Sequence, residues 1–232
     1  MASADVVAVI PARGGSTRVP RKNVKIFNGK PIIEWPIGSA RASGLVSRVV
    51  VSTDDAEISD VARHAGAEVP FERPSELATH NAGTAPVIQH AIRELGLASD
   101  AVVICLYPTA TVTSAMIDEA LGLSGAYPDH FVVSVGRHRS PLERSLKSND
   151  YGLMALAERA NLFTRTQDLP QRYFDAGKIY LATASVWLSH ETMMDSVFVP
   201  LHLPEWATVD IDEPEDWPIA EALHRVFVLE SS

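Results

Sequence analysis

The hydrophobic and polar positions of this chain follow two alternating patterns. Short apolar runs rich in β-branched residues, typical of buried strands, lie at residues 6–10, 48–52, 101–106, 131–135 and 178–182. Between them, apolar residues recur at helical spacing in residues 32–40, 56–65, 86–95 and 114–127. This alternation predicts an α/β protein with a Rossmann-like, doubly wound and mostly parallel sheet, in which ligands bind at the carboxyl ends of the strands.

Turn and capping residues add boundaries to these elements. Asn28-Gly29 predicts a turn, because both residue types tolerate the backbone of tight turns. Pro31 suits the first position of the next helix, which Pro36 would delay or kink. Helix caps are expected at Asp54 or Asp55, at Thr84 and at Thr113 or Ser114, with stops at Gly66 and Gly96.

The last third of the chain predicts several shorter elements. Further strands are expected at residues 197–201 and 208–211, with an earlier short strand at 68–71 and helices at 185–190 and 214–227. Asp212 and Glu215 fit a capping box for the closing helix, which Pro218 would kink.

Residues 136–174 interrupt the alternation. The segment is polar and rich in arginine, and it contains a turn sequence at 149–152. It predicts a hairpin-like excursion at 136–174 within a single domain of residues 1–232.

Composition narrows the class of protein. The 232 residues carry a net charge of −9 with a pI near 5.3, which argues against general nucleic-acid binding. The one cysteine, Cys105, lies in an apolar run and is expected to be a packing residue. The sequence predicts no signal peptide and no membrane span, and hence a cytoplasmic protein. Neither zinc-ligand spacing nor a serine-hydrolase elbow occurs.

A basic loop follows the first predicted strand, with the sequence A-R-G-G-S-T-R-V-P-R-K-N. Glycines that allow close backbone approach, hydroxyl donors and cations are together typical of a polyphosphate site. The loop matches neither the Walker A motif nor G-x-G-x-x-G, so a solvated surface turn is the alternative. The candidate phosphate-binding residues are Arg13, Gly14, Gly15, Ser16, Thr17, Arg21, Lys22 and Asn23.

Near the carboxyl terminus, V-D-I-D-E-P-E-D-W contains two carboxylates that would share one face of a strand. Asp210 and Asp212 would repel each other unless a cation lay between them. Mg²⁺ bridging to phosphate oxygens is the favoured interpretation, and a surface residue beside a helix cap is the alternative.

Together these motifs resemble the acylneuraminate cytidylyltransferases, which make CMP-sialic acids, and R-T-Q-D-L at 165–169 is closest to their pseudaminic acid branch. The resemblance implies a nucleotide-diphospho-sugar transferase type of fold. It also implies that CMP passes from CTP to the anomeric hydroxyl of a nine-carbon 2-keto sugar acid. Arg13, Lys22, Asp210 and Asp212 would be the catalytic residues, with Mg²⁺ on the two aspartates. Thr17 departs from the family, which usually has lysine there, and no dedicated general base is identified.

The resemblance implies further site residues and a partner. Arg73 would contact cytosine together with Gly83 and Thr84, although alone it would pass as a surface charge. The excursion at 136–174 would pack against a second subunit in a homodimer and lend residues to the partner's site. The sugar acid would meet Tyr107, Arg165, Gln167 and Asp175. Alternatives are activation of another sialic acid (neuraminic or legionaminic) or of 3-deoxy-octulosonate, a non-catalytic nucleotide-binding protein, and a dimeric scaffold.

Overall fold

The computed structural model describes residues 5–16 and 18–229. A six-stranded sheet is formed by β1 (Val6–Pro11), β4 (Arg48–Ser52), β5 (Val102–Leu106), β6 (Val132–Arg137), β9 (Tyr173–Thr183) and β10 (Val199–His202). Two small hairpins pair β2 (Ile26–Phe27) with β3 (Lys30–Pro31), and β7 (Leu146–Ser148) with β8 (Met154–Leu156). The helices are α1 (Glu34–Ala42), α2 (Ala56–His64), α3 (Thr84–Leu95), α4 (Ser114–Ala126), α5 (Ala184–Ser189) and α6 (Asp216–His224), the last followed by a π-helical segment at Arg225–Leu229.

The sheet has the strand order β10-β6-β9-β5-β1-β4. β1 runs parallel to β4 and β5, and β10 runs parallel to β6. β9 lies between β5 and β6 and is antiparallel to both. The predicted mostly parallel sheet is therefore confirmed, with one reversed strand at its centre.

The core lies on both faces of this sheet, as strand alternation requires. Val7 and Val9 of β1 pack on one face with Ile88 of α3. Ala8 and Ile10 pack on the opposite face with the helices α1 and α4. Because both faces are covered, the central strands are apolar throughout, which explains their strong signal in the sequence.

Two predicted strands are wrong. Residues 68–71 make only one bridge to the sheet, between Glu68 and Val50, within the described chain. Residues 208–211 form no strand, because Glu205–Thr208 is a 3₁₀ turn and the following backbone pairs with no sheet edge among the described residues.

The predicted helix starts also need correction. α1 begins at Glu34 rather than Pro31, because Pro31 pairs with Ile26 in the small hairpin. The predicted capping box at α6 is absent: the Asp216 carboxylate instead accepts hydrogen bonds from the amides of Asp212 (2.9 Å) and Glu213 (2.8 Å). Thr84 is the first residue of α3, whose cap is Gly83, whereas Asp55 caps α2 as expected.

The two prolines predicted to kink helices do not lie in helix interiors. Pro36 and Pro218 are each the third residue of their helices, α1 and α6. Amides of the first helical turn have no intrahelical acceptor, so a proline there costs no hydrogen bond.

The excursion contains a hairpin, as its turn sequence predicted, between 3₁₀ turns at Leu142–Arg144 and Thr166–Asp168. Asn149 Oδ1 accepts hydrogen bonds from the amides of Tyr151 (3.0 Å) and Leu153 (2.9 Å), which closes the turn between β7 and β8. β6 continues to Arg137 and β9 begins at Tyr173. The segment between the two strands is therefore slightly shorter than the predicted excursion. Large apolar side chains on it are exposed, with Phe163 at 94% and Tyr151 at 88%. In the described part of the chain, no helix combines the length and apolarity that crossing a bilayer requires.

Candidate active site

A cavity of about 380 Å³ opens where β1 and β5 end and β9 passes between β5 and β6. It combines residues from the basic loop after β1, the segment after β5, the middle of β9 and the aspartate pair near the carboxyl terminus. Its lining residues are Pro11, Arg13, Ser16, Arg18, Val19, Lys22, Asn23, Tyr107, Pro108, Thr109, Gly177, Lys178, Tyr180, Asp210, Ile211 and Asp212.

Hydrogen bonds within the basic loop give it a defined shape. The Gly14 amide donates to Asp54 Oδ1 (3.0 Å), and Asn23 Nδ2 donates to the Arg13 carbonyl (2.9 Å). A Cβ on Gly14 would lie 2.6 Å from Asp55 Oδ2, so a side chain there would force the loop away from α2. The lack of a side chain at Gly14 therefore allows the basic loop to pack closely against the start of α2.

Lys22 connects the basic loop to the carboxyl-terminal motif. Its Nζ donates to the Ile211 carbonyl at 2.6 Å, between the two aspartates in sequence. Burial lowers the pKa of Lys22, while the nearby charge of Asp210 acts in the opposite direction. The cation is thus held beside the aspartate pair and still faces the cavity.

A second lysine approaches Asp210 from the sheet. The register of β9 against β6 shifts between Val133 and Val135, and there the Ser134 hydroxyl accepts hydrogen bonds from the amides of Lys178 (3.2 Å) and Ile179 (2.9 Å). Lys178 Nζ lies 3.4 Å from Asp210 Oδ1, and its side chain is 3% exposed. Burial lowers the pKa of Lys178. Desolvation alone would raise the pKa of Asp210, but the charges of Lys178 and Lys22 outweigh it and lower the pKa.

The two aspartates expected to hold Mg²⁺ each meet a cation of the chain, Asp210 through Lys178 and Asp212 through Arg18. Asp212 pairs with Arg18 at 2.6 Å, and both side chains are about half exposed. No cluster of three or more His, Cys, Asp or Glu side chains suited to a metal occurs among residues 5–16 and 18–229. Two carboxylates in a cavity with cations suit Mg²⁺, which keeps water ligands and takes others from substrate phosphates. They do not suit a metal that needs a complete protein cage.

A second cavity, of about 230 Å³, adjoins the first and shares Pro11, Arg13 and Tyr107 with it. Arg73 lies in its wall, 5% exposed, and donates through Nε to the Ser52 hydroxyl at 3.1 Å. Burial lowers the pKa of Arg73 to about 10, so it remains charged at neutral pH. The other lining residues are Leu77, Thr79, His80, Ala82, Gly83, Thr84 and Val87.

Tyr107 forms the wall between the two cavities. Its hydroxyl is hydrogen-bonded to the Thr84 hydroxyl at the start of α3. Its ring meets that of Tyr180 edge-on, with 6.1 Å between centroids. Tyr180 in turn donates to Asp175 Oδ2 at 2.6 Å. Burial raises the pKa of Tyr107 to about 12, so the phenol stays protonated and can donate.

The sequence profile of the cytidylyltransferases matches residues 7–205, most of the chain. The chain belongs to the cytidylyltransferase family. It is therefore a nucleotidyltransferase enzyme, and the two adjoining cavities described above are its candidate active site.

Characterised relatives match this cytidylyltransferase over nearly its whole length. It is 34% identical to the pseudaminic acid cytidylyltransferase of Campylobacter jejuni, with 95% of this chain and 96% of the relative covered. It is also 34% identical to the CMP-N,N'-diacetyllegionaminic acid synthase of Legionella pneumophila, with 94% and 95% covered. A solved structure of CMP:2-keto-3-deoxy-manno-octonic acid synthetase complexed with CTP has a TM-score of 0.70 at 18% identity, covering 95% of this chain and 98% of that one. That likeness establishes the fold.

Most predicted site residues of the cytidylyltransferase line one of the two cavities. The large cavity is lined by Arg13, Ser16, Lys22, Asn23, Tyr107, Asp210 and Asp212. The smaller one is lined by Arg73, Gly83 and Thr84, again with Arg13 and Tyr107. Asp175 lies just outside, bonded to Tyr180 of the cavity wall and to the Gly177 amide (2.9 Å).

Other predicted residues lie apart from both cavities. Arg21 binds Asp55 at 2.5 Å and also Glu57, so its guanidinium holds the loop against α2. Arg165 is 75% exposed on the excursion and pairs with Asp168 at 3.1 Å. Gln167, in the same turn, is exposed. Gly15 lines neither cavity, and Thr17 lies outside the described residues.

The sequence prediction missed Lys178. The signal that identifies it is a lysine inside an otherwise apolar strand, K-I-Y-L-A, where a charged side chain is costly to bury. Its proximity to Asp210, 32 residues away in sequence, depends on the position of β9 at the centre of the sheet.

Proposed function

We propose that this cytidylyltransferase transfers CMP from CTP to the anomeric hydroxyl of a nine-carbon 2-keto sugar acid, with pseudaminic acid as the preferred acceptor. The observation that carries the proposal is the 34% identity to the Campylobacter jejuni pseudaminic acid cytidylyltransferase over 95% of this chain. The two adjoining cavities support it, because one suits a nucleobase and the other suits a triphosphate beside a second substrate.

In the proposed reaction the anomeric oxygen forms a bond to the α-phosphorus of CTP. The bond from that phosphorus to the pyrophosphate oxygen breaks, and the hydroxyl proton passes to water. Arg13 and Lys22 would stabilise the negative charge that develops on the leaving pyrophosphate. Ser16 and Asn23 would orient the triphosphate, and Arg73, Gly83 and Thr84 would hold the cytosine.

Mg²⁺ is part of the proposal, held by Asp210 and Asp212. When bound, it would supply charge neutralisation of the phosphates and polarisation of the reacting phosphorus. Lys22 would keep the aspartate segment close to the basic loop through its bond to the Ile211 carbonyl.

We further propose that the enzyme is a homodimer that acts in the cytoplasm. The exposed apolar side chains of the excursion support the dimer, since Tyr151, Leu153 and Phe163 form surface that a second subunit would cover. In the proposed dimer, Arg165 and Gln167 of one subunit would lie near the sugar acid bound by the other subunit. Size-exclusion chromatography with light scattering tests this assembly, and a monomer at micromolar concentration would contradict it.

Pyrophosphate release tests the proposed reaction. The purified chain is incubated with CTP, Mg²⁺ and, separately, pseudaminic, legionaminic and neuraminic acids and 3-deoxy-octulosonate, and the CMP-sugar is identified by mass spectrometry. We expect the highest kcat/KM with pseudaminic acid. Preference for legionaminic acid would support the second acceptor, to which the Legionella relative points. CTP binding without turnover of any acceptor would support a non-catalytic nucleotide-binding protein.

A further inference from the structure

Each aspartate of the proposed metal site is paired with a cation of the chain itself. Lys178 Nζ lies 3.4 Å from Asp210 Oδ1. The guanidinium of Arg18 lies 2.6 Å from Asp212 Oδ1. Lys178 belongs to β9 and Arg18 to the basic loop, so the two ion pairs join three separate segments of the chain. Both carboxylates are thus neutralised by side chains of the protein.

The two ion pairs differ in how easily they can open. The side chains of Arg18 and Asp212 are 60% and 51% exposed, and an exposed ion pair contributes little to stability. Lys178 is 3% exposed, although its partner Asp210 is 61% exposed. Because a buried ammonium without an anionic partner is costly, Lys178 cannot simply exchange Asp210 for water. It can give up Asp210 only to another anion that enters the cavity.

The charge of the cavity indicates the nature of that anion. The lining that the structure describes carries two carboxylates, Asp210 and Asp212, and four cations: Arg13, Arg18, Lys22 and Lys178. This leaves an excess of two positive charges. CTP with one bound Mg²⁺ carries about two negative charges and would neutralise the cavity. Bare Mg²⁺ would instead add to the positive charge and displace Lys178 without offering it a new partner.

Lys178 and the basic loop also approach the same short segment. Lys22 of the loop donates to the carbonyl of Ile211 at 2.6 Å, and Ile211 directly follows Asp210. The ammonium groups of Lys22 and Lys178 therefore reach this segment from two different elements. A triphosphate held by the loop would bring its oxygens to this corner of the cavity, where Lys178 can donate to them.

We propose that Lys178 pairs with Asp210 in the nucleotide-free enzyme and with a phosphate oxygen of CTP once Mg²⁺ is held by the aspartates. The inference rests on the proposed function, which assigns Mg²⁺ to Asp210 and Asp212. In the absence of nucleotide, the ion pair opposes metal binding at Asp210. When metal and nucleotide enter together, a phosphate replaces Asp210 as the partner of Lys178. Lys178 thus makes metal binding depend on CTP.

Binding of Mn²⁺, a probe for Mg²⁺ at carboxylate sites, tests the first half of the proposal in the nucleotide-free enzyme. Electron paramagnetic resonance follows the loss of the free Mn²⁺ signal. We expect the wild type to remain unsaturated at about 1 mM Mn²⁺, and Lys178→Met to bind Mn²⁺ about 10-fold more tightly, because the competing cation is gone. Lys178→Arg keeps the charge and should resemble the wild type. Asp210→Asn added to Lys178→Met should remove the gained binding.

Calorimetric titration with Mg²⁺-CTP, without an acceptor, tests the second half. We expect Lys178→Met to bind Mg²⁺-CTP about 10-fold more weakly than the wild type, the usual cost of losing a charged hydrogen bond. The two changes in affinity have opposite signs, which general loss of structure would not produce. Lys30→Met is the matched control and should behave as the wild type in both titrations, because Lys30 stacks on Trp35 and lines neither cavity. If thermal unfolding shows Lys178→Met to be unstable, Lys178→Gln is measured in the same way.

Three results would overturn the inference. The first is saturable, submillimolar Mn²⁺ binding by the nucleotide-free wild type that Asp210→Asn abolishes. The second is weaker binding of both Mn²⁺ and Mg²⁺-CTP by Lys178→Met, and the third is an unchanged affinity of that variant for Mg²⁺-CTP. Failure of the wild type to bind Mg²⁺-CTP would refute the proposed function and this inference with it. Absence of turnover with every acceptor, while both titrations give the expected results, would refute only the proposed acceptor reaction.

Discussion

Lys22 donates a hydrogen bond from its Nζ to the carbonyl of Ile211, 189 residues later in the chain, at 2.6 Å. The bond joins the basic loop after β1 to the aspartate pair near the carboxyl terminus. It makes one cavity from two motifs that the sequence keeps far apart.

A second set of contacts fastens the same two regions behind the cavity. The amide of Asn28 donates to Glu221 Oε1 (3.1 Å), and its side-chain amide donates to the Glu221 carbonyl (2.8 Å). Phe27 meets Trp217 edge-on, with 5.4 Å between ring centroids. α6 is therefore held against the β2–β3 turn, which keeps the aspartate segment beside the basic loop.

Lys22→Met should damage the reaction severely. The change removes a cation beside the proposed leaving pyrophosphate and the bond to Ile211, so we expect kcat/KM to fall by about 100-fold or more. Pyrophosphate release measures it. The control is Lys30→Met, because Lys30 stacks on Trp35 and lines neither cavity. A loss in Lys22→Met no larger than in the control would contradict the assignment.

Asp212→Asn should weaken the proposed metal site. We expect the Mg²⁺ concentration for half-maximal activity to rise about 10-fold or more, and chelation by EDTA to abolish wild-type turnover. The neighbouring Glu213→Gln is the control, since Glu213 also carries a carboxylate near Arg18, at 3.8 Å, but does not line the cavity. The same Mg²⁺ dependence in Asp212→Asn and wild type would remove Asp212 from the site.

Thr84 and Tyr107 should be energetically coupled through their hydroxyls. Thr84→Val, Tyr107→Phe and the double variant form a double-mutant cycle. We expect a coupling of about 1 kcal/mol in the free energy of unfolding, measured in urea, because each single change leaves one part-buried hydroxyl without its partner. Strictly additive effects would indicate that the hydroxyls do not bond in solution.

His224 should make stability depend on pH. Burial, assisted by the charge of Lys30, lowers the pKa of His224 to about 4, below the value of about 6.5 in unfolded chains. The folded state therefore favours the neutral ring. Its contribution to stability is complete above pH ~6.5 and is lost as the pH falls through about 4.

We therefore expect the free energy of unfolding to decrease by roughly 1–3 kcal/mol between these pH values because of His224. Urea unfolding across this range measures the slope. His224→Phe keeps an aromatic ring beside Phe27 and Trp35 and should flatten the slope. The exposed His64, changed to Gln, should leave it as in the wild type. An unchanged slope in His224→Phe would assign the pH dependence to other groups.

Local sequence patterns predict the central strands and most helices because burial on both faces produces continuous apolar runs. The errors occur where local pattern and tertiary contact disagree. Residues 208–211 look like a strand, but in the described structure they pair with neither edge strand, β10 or β4. Asp212 and Glu215 match a capping box, yet Asp216 binds the amides at that turn.

The residues of the candidate site also fall into two groups, those recognisable from the sequence and those that only the structure places. The basic loop and the aspartate pair are recognisable from sequence, since their residue types already define phosphate and Mg²⁺ chemistry. Arg21 has the same residue type as Arg13 but adopts a left-handed backbone conformation (φ 55°) and turns to Asp55 and Glu57. Lys178 carries no motif of its own, and only the position of β9 brings it to Asp210.

By itself, then, the sequence determined the α/β class, the order of most elements and the two chemical motifs, because all of these depend on periodicity and residue type within short segments. Only the tertiary structure decided which charged side chains face the cavity. That choice depends on contacts such as Lys22–Ile211 and Lys178–Asp210, whose partners are separated by 189 and 32 residues. Such contacts arise from the packing of whole elements, which no local pattern encodes.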